Sequence, residues 1–332
     1  MTELGIYKQN RINELNTNFN NVVARLNSIL TTNIKNVNKM KIKINLKQKL
    51  INSLINNYNS NISILKNNLN NSIAVINNYQ PTPILINGIK RALLIGINYK
   101  GTNNELNGCI NDIESIRERI SSNGFNDITI LTDNTSLKPT KNNILNALKN
   151  LLANSNVGDF LFFAYSGHGS YMADRNGDEK TGYDQLIVPL DLNMIVDDEL
   201  KSIIQTNLKP KVTLFAMFDS CFSGSVLDLK YQYMDSLNYD NYTENNKQLE
   251  TNGDVFMISG CNDYQTSADA FINNKANGAM TWSLLQSLKL KPSCSWKELV
   301  KNMRNLLKSS QFDQIPQFST GKFENIDSQV FI

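Results

Sequence analysis

The sequence predicts an α/β fold with a mostly parallel central sheet, preceded by a helical N-terminal arm. Three observations predict it: short, fully apolar runs that alternate with amphipathic stretches, a heptad-like apolar spacing confined to the first 80 residues, and a proline-marked break between the two regions. Apolar runs without polar alternation suit strands buried on both faces, as in a parallel sheet covered by helices on either side.

In the arm, Ile12, Leu15, Phe19, Val22, Leu26 and Ile29 recur at steps of three and four. Ile51, Ile55, Tyr58, Ile62, Leu65 and Leu69 repeat the pattern after a looser, Lys-rich middle around Lys39 to Lys49. Two such helices can fold back as a hairpin or join partner chains. Asn, a mediocre helix former, is abundant here, so these helices depend on a partner surface. Residues 1–80 carry ten Lys and Arg against Glu3 and Glu14, while the remainder carries 23 basic and 28 acidic residues. Such an imbalance bears on steering and solubility, and without aromatic residues interleaved among the lysines no nucleic-acid partner is expected. Pro81 and Pro83 break the pattern, giving an arm over 1–80, a linker over 81–90 and a body over 91–332.

Within the body, strands are expected over Arg91 to Ile97, Ile128 to Leu131, Phe160 to Tyr165, Val212 to Phe218 and Val255 to Ser259. Helices are expected over Ile110 to Ser121, Lys141 to Leu152, Asp198 to Thr206 and Ala279 to Leu288. In open sheets of this kind, sites form beyond the carboxyl ends of the strands.

Composition narrows the chemistry. Hydrophobic residues are 41% and charged residues 19%, which suits a globular core, and no apolar run approaches the roughly 18–20 residues of a bilayer crossing. The start, Met1-Thr2-Glu3, lacks the basic and apolar regions of a secretory leader, so a cytoplasmic protein without a membrane partner is expected. Cys109, Cys221, Cys261 and Cys294 form no C-x-x-C pair, and His168 is the single histidine, which excludes a zinc site built on such pairs and any H-E-x-x-H centre.

Two predicted strands run into unusual loops, Ser166-Gly167-His168-Gly169 and Asp219-Ser220-Cys221-Phe222-Ser223-Gly224. If the strands are parallel, both loops emerge on one edge. A free thiol ionises near pH 8.5, so an imidazole that accepts its proton supplies the nucleophile at neutral pH. With one histidine the pair is Cys221 and His168, and no third member is identifiable. The backbone amides of Gly169 and Cys221 are the natural donors to a tetrahedral oxyanion.

With these residues in view, positions 91–320 resemble a metacaspase, a caspase-related peptidase family. The resemblance rests on Arg91-Ala92-Leu93-Leu94-Ile95-Gly96-Ile97-Asn98-Tyr99, Gly108-Cys109-Ile110-Asn111-Asp112, Tyr165-Ser166-Gly167-His168-Gly169, Ile195-Val196-Asp197-Asp198-Glu199-Leu200 and Asp219-Ser220-Cys221. Ile258-Ser259-Gly260-Cys261 and Gln265-Thr266-Ser267-Ala268-Asp269 extend it. It implies a caspase-like three-layer sandwich and peptide-bond cleavage by the His168–Cys221 dyad. It also assigns the pocket for the residue before the cut to Cys109, Asp112, Ser166 and Asp219. Two carboxylates in one pocket suit Arg or Lys and would repel Asp. Without that pocket, Asp112 would read as a helix N-terminal residue and Asp219 as a strand-end cap.

The resemblance further implies a calcium site, with Asp197, Asp198 and Asp228 at three ligand positions. The family's Asp-Gly-Tyr-Asp-Glu reads Thr181-Gly182-Tyr183-Asp184-Gln185 here, which removes a carboxylate at Thr181 and an acid at Gln185; Asp178, Glu179 or water could compensate. Phe222 stands where the family usually has His. The polar stretch 229–252 contains Lys230 and Lys247, and self-cleavage is expected after one of them, Lys247 being the less cramped. The competing reading is an inactive caspase-like scaffold assembled through the arm. Hydrolysis of acyl or thioester substrates by the same dyad would leave the paired carboxylates unexplained.

Overall fold

The computed structural model describes residues 3–78, 88–174, 182–221, 223–233, 243–245, 248–260, 269–272, 275–324, 326–330 and 332. Asp178, Glu179, Thr181, Phe222, Lys247, Cys261 and Gln265 to Ala268 lie outside the described residues, as does the side chain of Asp269.

The chain forms two compact units, Met1–Gln80 and Pro81–Ile332. The first is a hairpin of α1 (Glu3–Lys39) and α2 (Ile44–Asn78). Lys8 Nζ donates to Asn77 O at 2.7 Å and Lys47 Nζ to Asn38 O at 2.7 Å, so a lysine bridges the two helices near each end of the hairpin. The Lys-rich middle, where the apolar spacing loosens, is helical apart from residues 40–43 between the two helices. Lysine is a good helix former, and Lys47 and Lys49 simply continue α2.

The second unit begins with β1 (Lys90–Gly96), α3 (Cys109–Ser121), β2 (Phe125–Thr132), α4 (Lys141–Ala153) and β3 (Phe160–Ser166). It continues with β4 (Gly169–Ala173), β5 (Tyr183–Ile187), β6 (Ile195–Val196), α5 (Asp197–Asn207), β7 (Thr213–Asp219), β8 (Tyr231–Gln232) and β9 (Thr243–Glu244). β10 (Asp254–Ser259), β11 (Asp269–Ile272), β12 (Lys275–Gly278), α6 (Ala279–Leu290), α7 (Trp296–Ser309) and β13 (Gln317–Thr320) complete it.

The main sheet has the order β2-β1-β3-β7-β10-β13-β8-β9. The five strands from β2 to β10 run parallel, and β13, β8 and β9 add an antiparallel edge. This is the three-layer α/β arrangement the apolar runs require. Alternation along each strand feeds two cores. One contains Leu161, Phe163 and Tyr165 of β3 and Leu214, Ala216 and Phe218 of β7, with Ile144 and Leu148 of α4 and Leu200 and Ile204 of α5. The other is aromatic: Phe162 stacks on Phe215 at 4.9 Å, and Phe256 stacks on Trp296 of α7 at 4.7 Å. Close packing of α3 on β1 needs Gly96, since a Cβ there would sit 2.7 Å from the Cys109 carbonyl oxygen.

The polar stretch expected as a loop over 229–252 contains β8 and β9, which pair with each other, while β8 also pairs with β13. Tyr231 and Tyr233 anchor this segment by being buried, so the expected long loop is in part a sheet edge.

Candidate active site

Strand register places the two reactive side chains. β3 and β7 pair so that Ser166 lies opposite Asp219, and Gly167 N–H donates to Asp219 O at 3.3 Å. His168 and Cys221 each stand two residues beyond this matched pair, on strands that neighbour at about 4.8 Å. A single cavity of about 170 Å³ is lined by Cys109, Asp112, Ser166, His168, Asp219, Cys221 and Gly278, among others. All the side chains expected to act on substrate therefore meet in one place. His168 and Cys221 are half-buried, and Asp112 and Asp219 are buried.

The His168 loop is held from beneath by two tyrosines. His168 N–H donates to Tyr99 Oη at 3.0 Å, Tyr165 Oη donates to His168 O at 2.8 Å, and the two hydroxyls lie 3.1 Å apart. Both hydroxyls also reach Val188 O, at 2.5 Å for Tyr99 and 3.0 Å for Tyr165. Burial pushes both phenols well above their ordinary ionisation range, so they remain donors. The Tyr99 ring lies 4.7 Å from the imidazole, on a backbone held in the left-handed region at φ 51°. Asp133 grips that turn by accepting from Asn98 N–H at 2.7 Å and Lys100 N–H at 3.2 Å.

Above, His168 Nε2 lies 2.7 Å from Asn104 O. A carbonyl only accepts, so Nε2 is the protonated nitrogen and Nδ1 keeps its lone pair in the neutral ring. Asn104 O is thus placed to orient the ring, a contact that sequence reading did not find. Being a backbone oxygen, it has no side-chain signature.

Gly169 opens β4. Val188 N–H donates to His168 O at 3.0 Å, which makes Gly169–Ile187 the wide pair of that ladder and directs the Gly169 N–H away from β5. A Cβ on Gly169 would collide with the Cys221 carbonyl oxygen, so glycine is needed for the two loops to close on one another.

The carboxylates are positioned by helix starts. Asp112, in the first turn of α3, accepts from Ser166 Oγ at 2.8 Å and from Gly278 N–H at 2.9 and 3.1 Å. Asp219 Oδ2 accepts from both the N–H and the hydroxyl of Thr281 in the first turn of α6, each at 2.8 Å. Asp219 therefore caps a helix distant in sequence. Gly278 lies between the two acids, where a Cβ would strike both. Gly278 and Thr281 went unnoticed in the sequence, although a glycine just ahead of Ala279-Met280 is a recognisable helix start.

A second group of acids lies at the start of α5. Asp197, Asp198 and Asp228 each present an oxygen within 4.8 Å of the others. Asp197 Oδ2 accepts from Gln185 N–H at 2.7 Å, and Gln185 Oε1 accepts from Ser225 Oγ at 2.5 Å. Burial, and then the charge of Asp228, push the Asp197 carboxyl up to about 8. Lys201 Nζ lies 3.4 Å from Asp228 Oδ2 and 3.8 Å from Asp198 Oδ1. With that ammonium already paired to two of the acids, these residues do not fit a calcium ion while Lys201 stays in place. Lys201 went unnoticed too, although its spacing of three from Asp198 was legible.

Among the described residues no helix is long and apolar enough to cross a membrane. The family profile described as "Metacaspase, peptidase C14 domain" matches residues 90–230. Metacaspase-1 of Scheffersomyces stipitis is 38% identical over 295 residues, covering 73% of each chain. Metacaspase-1 of Meyerozyma guilliermondii is 37% identical over 70% of each chain. Metacaspase-1A of Aspergillus oryzae is 38% identical over 70% of this chain and 68% of its own length. A crystal structure of a Geobacter sulfurreducens protein shares the fold, with a TM-score of 0.56 at 24% identity over 73% of this chain and 98% of that one. The site geometry and the breadth of these matches lead to one conclusion: the chain belongs to the metacaspase family of caspase-like, cysteine-type endopeptidases.

Proposed function

We propose that this peptidase cuts after Arg or Lys, with Cys221 as nucleophile and His168 as base and then acid. The observation that carries the reading is the shared cavity, in which the thiol, the imidazole and two buried carboxylates meet. Nδ1 of His168 takes the Cys221 proton while Nε2–H stays on Asn104 O, which also stabilises the imidazolium that forms. The thiolate attacks the scissile carbonyl carbon, and the oxyanion is received by the N–H groups of Gly169 and Cys221. Collapse expels the amine, which takes the proton from Nδ1. Water, deprotonated by the same nitrogen, then hydrolyses the thioester, releasing a carboxylate and restoring the thiol. Calcium has no step in this chemistry.

Asp112 and Asp219 hold the cation before the cut. Their bonds to Ser166, Gly278 and Thr281 fix the carboxylates in place beside the cavity. Arg fits as a fork and Lys as a point charge.

Self-processing in 229–252 is part of the proposal. Lys230 is a poor target, since its Nζ pairs with Glu244 at 3.4 Å and Tyr231 begins β8. The reading therefore favours Lys247. The arm hairpin is proposed to mediate self-association, which sedimentation with and without residues 1–80 checks.

The decisive experiment is hydrolysis of reporter peptides ending in Arg, Lys or Asp, with Cys221→Ala and His168→Ala as controls and intact mass followed in parallel. Turnover of the Arg and Lys reporters alone, lost in both controls, is expected. Equal turnover of the Asp reporter, or activity surviving Cys221→Ala, refutes the proposal; a Cys221→Ala chain that still breaks near Lys247 refutes self-processing.

A further inference from the structure

The acid cluster at α5 carries its own cation. Asp197 and Asp198 are the first two residues of α5, and Lys201 is one turn further along the same helix. Asp228 belongs to the segment that leads away from Cys221, at a left-handed turn of φ 47°, with its N–H on Ser225 O at 2.7 Å. Ser225 in turn bonds Gln185 of β5, and Asp197 accepts from the Gln185 N–H. The cluster therefore joins three pieces of chain: β5, α5 and the segment continuing from the nucleophile.

We propose that Lys201 is a tethered cation that stands in for a divalent ion here, fastening the Cys221 segment to α5 without calcium. The geometry supports this in two ways. First, Lys201 Nζ lies between two of the three carboxylates, 3.4 Å from Asp228 and 3.8 Å from Asp198, and its side chain is only 15% exposed. Second, a calcium ion bonded at about 2.3–2.6 Å to those same carboxylates would lie close beside the ammonium, with like charges opposed; it could enter only by driving the lysine out. An ammonium is well suited to the task, being a compact charge with three donors on a flexible stem.

The test uses the full-length chain carrying Cys221→Ala, so that self-cleavage cannot alter it and the result stands apart from the peptidase chemistry. Thermal unfolding is followed in EDTA and in calcium chloride, and calcium binding is measured by titration calorimetry. With Lys201 intact, the melting temperature should agree within about 1 °C between the two conditions. Lys201→Met should melt lower in EDTA, recover by roughly 5 °C in millimolar calcium, and bind calcium at least about tenfold more tightly than the Lys201 chain. Lys201→Arg, which keeps the charge, should remain insensitive. A rise of several degrees in calcium with Lys201 present overturns the proposal. So does a Lys201→Met chain that binds calcium no more tightly, or that fails to fold in calcium as well as in EDTA, because the ion should replace the lost ammonium.

Discussion

Replacing Asp112 by Asn removes one charge from the proposed specificity pocket at nearly constant volume. Asp112 Oδ1 accepts from Gly278 N–H at 2.9 Å, and its Oδ2 lies 2.8 Å from Ser166 Oγ. An asparagine oxygen accepts the shorter Gly278 bond, its amide donates to a reversed serine hydroxyl, and only the longer Gly278 contact at 3.1 Å is lost. The lost attraction is that between a carboxylate and a cation about 4 Å away, about 4 kcal/mol at an effective dielectric near 20. Asp219 remains and the amide keeps a dipole, so the expected loss is about 2–3 kcal/mol. In kcat/KM for Arg and Lys reporters this is roughly 30- to 150-fold. Because Asp112 is fully buried, removing its charge should not lower the melting temperature. A fall of less than about threefold with an unchanged melting temperature would show that Asp112 only braces α3 and Gly278, and the pocket assignment would fail.

Three further outcomes follow from the same geometry. Gly169→Ala forces a methyl against the Cys221 carbonyl and should cost about 100-fold in kcat with little change in KM; near-normal turnover would show that the two loops close without glycine. Trp296→Ala empties the aromatic stack with Phe215 and Phe256 and should lower unfolding free energy by about 3–5 kcal/mol in urea titrations, with a loss below about 1 kcal/mol contradicting the packing argument. Glu324 is buried, and burial first, then Asp254 and Glu250 against an opposing Lys322, raise its carboxyl to about 8 from an ordinary 4.5. Between those values the folded chain holds a proton that the unfolded chain has released, so its contribution to stability is full below about pH 4.5 and fades as pH rises through 8. Glu324→Gln should lack that decline, gaining in relative melting temperature from pH 5 to pH 9; parallel curves for the two proteins would rule the effect out.

What could be read from the residues follows from how each feature is encoded. β1, β3, β7 and β10 were legible because both faces of each strand are buried, so the side chains are apolar without a break. Their ends were misjudged by a residue or so: β3 runs on to Ser166 and β7 to Asp219, where ladder bonds persist after the apolar side chains stop. The short strands β4, β5, β8 and β9 mix polar and apolar residues, their pairing is decided by distant segments, and no local pattern announces them. α7 is a different case. Its start carries a capping box, Ser295 with Glu298, the kind of signal a sequence does display, yet the helix was not among those expected. Cys221 stood out among four cysteines by its strand-end loop, and the candidate base was legible because one histidine leaves one choice. Its orienting partner was not, since Asn104 contributes a peptide oxygen.

The placement of the site is a consequence of ladder register more than of loop design. Once Ser166 and Asp219 are paired, equal two-residue extensions bring His168 and Cys221 to the same edge, and the Gly169 contact with the Cys221 carbonyl sets how closely those extensions meet. The pocket acids use a second device. Asp112 stands in the first turn of α3 and Asp219 receives the first-turn donors of α6, so each buried negative charge faces the positive end of a helix. That arrangement offsets part of the desolvation of two neighbouring acids, which would otherwise repel one another across Gly278. On the proposed specificity, bound Arg or Lys would complete a charge balance that the helices only begin, and cation selectivity and the stability of α6 would be coupled through the same oxygen of Asp219. A substitution at Thr281 that removes its hydroxyl, such as Thr281→Val, should therefore disturb both together, weakening the α6 cap and shifting KM for cationic reporters more than kcat.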